Sequence, residues 1–320
     1  MGSDPALEAR ILLSRSPRAA DETAAWEAAD DDARRDAARA ARALERLGVR
    51  ALVRADAGYP DGLRELRDPP RVLFARGALP AAGAVAIVGS RAASPYGTAR
   101  AGELAADLAR LGHTVVSGLA RGIDAAAHGG ALAAGGASVA VLPGGLDAVT
   151  PRHHAALAES LCARGGLVSE RASGPPPHPS TFLERNRIIA ALASVTVVVE
   201  AAVRSGALAT AAAARRLGRP VLAVPGDADR ETSRGTNALL RAGAGMCERT
   251  ADVLRALGGA GGGEPPQRRL RAALRAAPRT ADELAAAAGL RVDETLALLL
   301  ELEWAGAAEA LPGQRWRRAS

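Results

Sequence analysis

The sequence predicts an α/β protein built on a doubly wound, mostly parallel sheet, with a short helical segment before it and a winged-helix-like domain after it. Three observations carry that expectation. From residue 85 to about 255, short β-branched runs alternate with glycine turns and Ala/Leu-rich stretches, the pattern of right-handed βαβ crossovers. Residues 258–266, Gly-Gly-Ala-Gly-Gly-Gly-Glu-Pro-Pro, read as a linker. Residues 267–320 then hold three helical stretches and a hairpin.

In chain order, residues 1–50 form the N-terminal helical segment, dominated by Ala, Leu, Glu and Arg. Asp30-Asp31-Asp32 is placed to cap a helix running through Leu47, with Gly48 closing it. The central domain spans 51–257. Its first part, with Tyr59-Pro60 and Asp68-Pro69-Pro70, is a turn-rich lead-in expected to place one strand, around Leu73-Phe74, beside the main sheet. Strands are expected at 85–88, 114–117, 138–142, 166–169, 195–200 and 220–224, with helices such as 97–111 and 205–217 between them. In the tail, Arg268 to Ala276 reads as a basic amphipathic helix. Thr280 and Glu283 make a capping box for a second, Val292 to Trp304 is a third, and Ala307 to Trp316 folds back around Pro312-Gly313. The arginines at 268, 269, 271 and 275 suit either nucleic acid or a solvated helix face.

In open α/β sheets ligands bind beyond the carboxyl ends of the strands, so the glycine-rich turns after each strand are the candidate site. Gly89-Ser90-Arg91 follows the strand at 85–88, where the next helix is expected to begin; helix N-terminal N–H groups favour an anion, and arginine adds a forked donor for phosphate. Ser117-Gly118 and Arg121 repeat this logic one strand over. Asp124 there is placed as an N-cap, and His128, four residues on, shares its face and can pair with it; no nucleophile accompanies them, which favours a structural pair. Pro143-Gly144-Gly145 is a weak third turn. Phe182, with Arg185, Asn186 and Arg187, offers an aromatic beside arginines, suited to stacking a base while neutralising its backbone; a core phenylalanine with surface arginines is the alternative. Arg204-Ser205-Gly206 again puts arginine, hydroxyl and glycine at a helix start. Any one turn has a bland explanation, but several on one sheet edge point to a groove for several phosphates.

Composition narrows the class. Aromatics are 2% of the 320 residues, so the core must be aliphatic, and all 41 basic residues are arginine, which reads as a genome-wide bias. The net charge of +6 resides mainly in residues 61–265, with 22 Arg against 17 acids; that suits an anionic partner, weakly. Cys162 and Cys247 are isolated and fit no metal or redox spacing, so reduced thiols in a cytoplasmic protein are expected. No apolar run approaches the roughly 18 residues of a membrane span.

With these residues in hand, the chain closely resembles the DNA-processing protein A family (DprA, also called Smf) over about 50–315. The resemblance rests on Tyr59-Pro60, Asp68-Pro69-Pro70, Ile87 to Arg91 with Tyr96-Gly97, Ser117 to Asp124 with Ala127-His128, and Arg185 to Ile189. It continues in Val199-Glu200-Ala201, Ser205-Gly206, Ala223 to Gly226 and Gly235-Thr236-Asn237. It implies an extended Rossmann-like domain that binds and protects single-stranded DNA, helps load the RecA recombinase during natural transformation, forms homodimers, and uses no catalytic residue, cofactor or metal. The residues it marks for DNA contact are Gly89, Ser90, Arg91, Phe182, Arg185, Asn186, Arg187 and Arg204. There are departures: Leu142-Pro143-Gly144-Gly145 stands for the family's Leu-Gly-x-Gly, Thr150 for a tyrosine, Ala207 for a serine and Ala209 for an isoleucine or valine. The rival is a Rossmann-type phosphoribohydrolase of nucleoside monophosphates, whose Pro-Gly-Gly is matched by residues 143–145 but not continued by Leu146 to Thr150. A nicotinamide-dependent dehydrogenase is disfavoured, since no Gly-x-Gly-x-x-Gly follows the 85–88 strand.

Overall fold

Short valine-rich runs bounded by turn-formers become the strands of a nine-stranded sheet in the computed structural model, which describes residues 3–173, 176–260, 266–290, 292–304, 306–313 and 315–319. Three helices, α1 (Pro5–Arg15), α2 (Glu22–Glu27) and α3 (Asp31–Arg46), lead into β1 (Arg50–Val53), the single turn α4 (Asp61–Arg64) and β2 (Val72–Gly77). The alternation continues with β3 (Val85–Val88), α5 (Pro95–Arg110), β4 (Val115–Ser117), α6 (Ile123–Ala133), β5 (Ser138–Val141) and α7 (Ala155–Arg164). It is completed by β6 (Gly166–Ser169), α8 (Pro179–Leu192), β7 (Val195–Val198), α9 (Gly206–Arg216), β8 (Val221–Ala223), α10 (Glu231–Arg241), β9 (Gly245–Met246) and α11 (Thr250–Ala260).

The strand order is β1-β2-β6-β5-β4-β3-β7-β8-β9. Strands β3 to β9 pair in parallel, and β2 joins β6 antiparallel with β1 antiparallel outside it. The lead-in thus supplies two strands where one was expected. Winding runs outward from β3 to β4, β5 and β6, then returns to place β7 on the other flank of β3.

Side chains alternate across each strand, and the core divides accordingly. Ala86 and Val88 face a layer with Ile188, Ile189 and Ala211 from α8 and α9, whereas Val85 and Ile87 face Leu104 and Leu108 of α5 and Ala127 of α6. The N-terminal helices share a third cluster with the sheet, where Ile11 and Leu44 meet Phe74, Leu142 and Leu167. Asp30 caps α3 through the N–H of Ala33, Leu47 ends it, and Gly48 takes a positive φ of 67°. Arg10 of α1 pairs with Glu22 at 2.6 Å and Asp56 at 2.9 Å. The Tyr59 hydroxyl, buried, donates to the Pro70 carbonyl at 2.7 Å, which ties together the two proline motifs of the lead-in.

Residues 1–257 and 258–320 form separate compact units. Helix α11 carries through the first three residues of the expected linker, and residues 261–265 lie outside the described residues. The second unit holds α12 (Pro266–Ala273), β10 (Arg279–Thr280), α13 (Ala281–Ala288), α14 (Val292–Trp304), β11 (Ala308–Leu311) and β12 (Arg315–Arg318), with sheet order β10-β12-β11. Leu270, Leu284, Leu299 and Trp316 form its core. The capping box of Thr280 and Glu283 is present. This is the three-helix and hairpin arrangement of a winged helix. Among the described residues, no helix is long and apolar enough to cross a membrane.

Candidate nucleic-acid interface

A groove of ≈ 920 Å³ opens where the sheet reverses its winding, between the loop after β3 and the loop after β7. Doubly wound sheets place ligands at this switch point because the two loops diverge to opposite faces and leave a crevice. Of the expected site residues, Gly89, Ser90, Arg91, Phe182, Arg185, Asn186, Arg204, Ser205 and Gly206 line it. Ser117, Gly118, Arg121 and Arg187 do not appear in its wall.

The loop after β3 departs from the expectation in an instructive way. Helix α5 begins at Pro95 with Ser94 as its N-cap, so Ser90 and Arg91 lie in a loop before it. Its N-terminus is already occupied by a carboxylate of the protein: Glu200, 3% exposed, accepts from the Ser94 N–H at 2.9 Å and the Ser94 hydroxyl at 2.5 Å. A Cβ on Gly97 would stand 2.5 Å from the Glu200 carboxyl carbon, so glycine there makes room for this internal anion. The α5 N-terminus thus already has an internal carboxylate at its cap. Gly89 is held glycine by close approach, since a Cβ would meet Ile123 at 2.6 Å and the Glu200 carbonyl at 2.8 Å. Ser90 receives the Ala92 N–H on its hydroxyl at 3.1 Å. Arg91 is exposed, and its guanidinium lies 4.6 Å from the centre of the Phe182 ring, a cation–π contact.

Helix α8 sorts its charged residues by the 100° step of the helix. Phe182, Asn186 and Ile189 share the groove face at i, i+4 and i+7. Arg185 is 4% exposed on the groove floor, donating to the Gly118 carbonyl at 2.7 Å, to the Val141 carbonyl, and through Nε to Asn186 Oδ1 at 3.3 Å. Burial lowers its pKa to about 10. Asn186 donates to the Gly206 carbonyl at 3.0 Å, joining α8 to the start of α9. Arg187 points elsewhere and pairs with Glu170 at 2.6 Å. The four expected residues of α8 are thus one groove aromatic, two floor residues and one arginine outside the groove.

The loop after β4 builds the floor. Ser117 is fully buried and donates to the Ile87 carbonyl at 2.6 Å, fastening β4 to β3. Gly118 leaves space for Arg185, whose guanidinium would overlap a Cβ placed there. Arg121 is exposed on this loop. Gly122, at φ 77°, is the N-cap of α6, so Asp124 sits inside the first turn and accepts from the Ala120 N–H at 3.3 Å. Burial raises the Asp124 carboxyl pKa, opposed by the charge of Arg185. His128 does not pair with Asp124. Its Nδ1 meets the Ser138 hydroxyl at 2.7 Å; that hydroxyl donates to the Val115 carbonyl at 2.9 Å, so Nδ1 carries the proton. Its Nε2 is buried without a partner, and burial with the charges of Arg185 and His154 brings the His128 pKa down to about 3.

The opposite wall begins at α9, where Ser205 is the N-cap and accepts from the Ala207 N–H at 3.3 Å. Arg204, just before it, is exposed. A further exposed arginine, Arg234 of α10, also lines the groove, with Glu231 one turn before it. The sequence motifs do not single out Arg234, although it directly precedes Gly235-Thr236-Asn237. That motif is structural: Gly235 donates to the Ala201 carbonyl at 2.8 Å, and Asn237 brackets Gly226 through both amide atoms. Among the described residues, Arg91, Arg204 and Arg234 have no ion pair. Pro143-Gly144-Gly145 lies outside the groove, with the Gly144 carbonyl accepting from Ser169 at 2.7 Å. Among the described residues, no His, Cys, Asp and Glu cluster is able to hold a metal ion.

The comparisons with known proteins agree with this architecture. Residues 50–258 match the family described as DNA recombination-mediator protein A, and residues 251–314 match the DprA winged helix domain. The protein Smf of Escherichia coli is 41% identical over 284 residues, covering 82% of this chain and 76% of that protein. A DNA processing protein DprA of Mycobacterium tuberculosis is 44% identical over 249 residues, 73% of this chain, and the chain spans 64% of that relative's length. The X-ray structure of DprA from Streptococcus pneumoniae superposes with a TM-score of 0.64 at 33% identity, covering 73% of this chain and 82% of that one. DprA from Helicobacter pylori, a structure described for its single-stranded DNA binding mode, gives a TM-score of 0.58 at 29% identity over 65% of this chain and 95% of that one. The chain belongs to the DNA recombination-mediator protein A family, the DprA/Smf proteins.

Proposed function

We propose that this protein binds single-stranded DNA in the groove at the sheet's switch point and acts as a recombination mediator, protecting the strand and helping to load RecA onto it during natural transformation. The observation that carries this reading is the pairing of Arg91, Arg204 and Arg234, all exposed and without an acidic partner among the described residues, with an aromatic ring in one groove. Unpaired arginines attract phosphates, and a ring face stacks any base, which together bind an unpaired strand with little regard to sequence. The role is binding rather than catalysis. Asp124, Arg185 and Asn186 are engaged with backbone groups or with one another, and binding a strand requires no bond-breaking residue and no cofactor. The protein works in the cytoplasm, as a homodimer, without a membrane.

Phe182 supplies the test. Its replacement by alanine is expected to cost roughly 1–3 kcal/mol of binding to a single-stranded oligonucleotide, measured by fluorescence anisotropy at fixed salt. Undiminished affinity would return Phe182 to a packing role. RecA nucleation on the bound strand, with and without this protein, tests the mediator half separately.

A further inference from the structure

We infer that Leu183 and Val203 form a second, aliphatic base-binding station beside Arg204, so that the groove engages at least two nucleotides through their bases; this rests on the single-stranded DNA reading above. Leu183 is 55% exposed and Val203 63% exposed, and both line the groove. Single exposed aliphatic residues are ordinary on a protein surface, so exposure alone says little; their position says more. Leu183 follows Phe182 on α8, and its Cδ2 lies 3.7 Å from where a Cβ on Gly206 would stand, which lays it over the first residue of α9. Val203 belongs to the loop entering that helix and directly precedes Arg204.

The groove therefore repeats one unit twice. Phe182 lies beside Arg91, and Leu183 and Val203 line the same groove as Arg204, which directly follows Val203 in the chain; in each case apolar surface shares the groove with an arginine that has no acidic partner among the described residues. A site for sugar and phosphate alone gains nothing from apolar walls, whereas a base presents a flat face whose removal from water is favourable. In a duplex those faces are stacked inward and out of reach, so the aliphatic station rewards only an unpaired strand. Aliphatic side chains carry no donor or acceptor, so the station favours single strands without choosing among bases.

The test uses the full chain with Leu183→Ala and Val203→Ala combined, against two probes of equal length and at equal salt: oligothymidylate and a strand of abasic sugar-phosphate units. Affinity for oligothymidylate is expected to fall about tenfold, as for two half-covered aliphatic side chains cut back to methyls, while the weaker affinity for the abasic strand stays within about twofold. Equal losses on both strands would assign the pair to the shape of the wall, and no loss on either would mean that bases do not reach it; each result overturns the inference. A wild-type protein that binds neither strand would refute the DNA reading itself, a distinguishable failure. Both side chains are exposed, so an unchanged melting temperature identifies a folded variant.

Discussion

Replacing Arg185 with alanine separates a floor residue from a strand contact. Arg185 is 4% exposed, and its guanidinium holds the carbonyls ending β4 and β5, at Gly118 and Val141, together with Asn186. Its positive charge also offsets the burial of the Asp124 carboxyl. Removing it leaves two carbonyls without their donor and a buried acid without its compensating charge, a change that costs about 3–5 kcal/mol where one member of a buried charge arrangement is deleted. At about 2–4 °C per kcal/mol for a unit of this size, the melting temperature should fall by about 10 °C. Urea titration is the direct assay, with the midpoint moving down at constant m. Replacing Asp124 by alanine as well should return part of the loss, since no charge then remains to be compensated. Wild-type stability in Arg185→Ala, combined with abolished DNA binding, would refute this reasoning and make Arg185 a direct strand contact.

Two further outcomes concern stability. His128 titrates at about 3 in the folded protein against 6.5 as its reference, so the unfolded chain takes the proton first. The contribution is complete above about pH 6.5 and declines as the pH falls toward 3, the decline amounting to about 2 kcal/mol at pH 5; His128→Gln should flatten the pH 5–7 stability profile by that amount, and parallel profiles would contradict it. Gly97→Ala forces the pinned Glu200 carboxylate off Ser94, with an expected cost of about 1–3 kcal/mol; an unchanged melting temperature would show that Glu200 has room to move.

The sheet is legible in the sequence because its strands are short valine-rich runs between glycines, and all six expected runs are strands with ends differing by at most two residues. What escapes lacks such a signal or has a competing one. Strand β9, Gly245–Met246, is two residues long and shows no alternation to detect. Helix α5 starts later than Gly89-Ser90-Arg91 suggests, and Ser94-Pro95 marks the true start, a side-chain cap followed by proline in the first turn. Arg185, Asn186 and Arg187 look like one charged cluster in sequence, yet consecutive helical residues point 100° apart, and that periodicity separates Arg187 from the groove. The Asp124–His128 pair fits i, i+4 spacing, but Ser138 on the neighbouring strand takes the histidine, a tertiary contact that helix spacing does not reveal. Glu200 occupying the α5 N-terminus is of the same kind, since its partner Ser94 lies 106 residues away in the chain.

On the proposed reading, Arg91, Arg204 and Arg234, which have no ion pair among the described residues, track the backbone of a single strand. The measurement that tests it most directly is the dependence of binding on salt, for oligothymidylate and for a duplex of equal length, with the wild type and with Arg91→Ala, Arg204→Ala and Arg234→Ala combined. The wild type should prefer the single strand, and the variant's plot of log K against log salt should be shallower by about 2, at about 0.7 for each phosphate no longer neutralised, with its melting temperature unchanged. Equal slopes for the two proteins, or a wild type that prefers the duplex, would contradict the account.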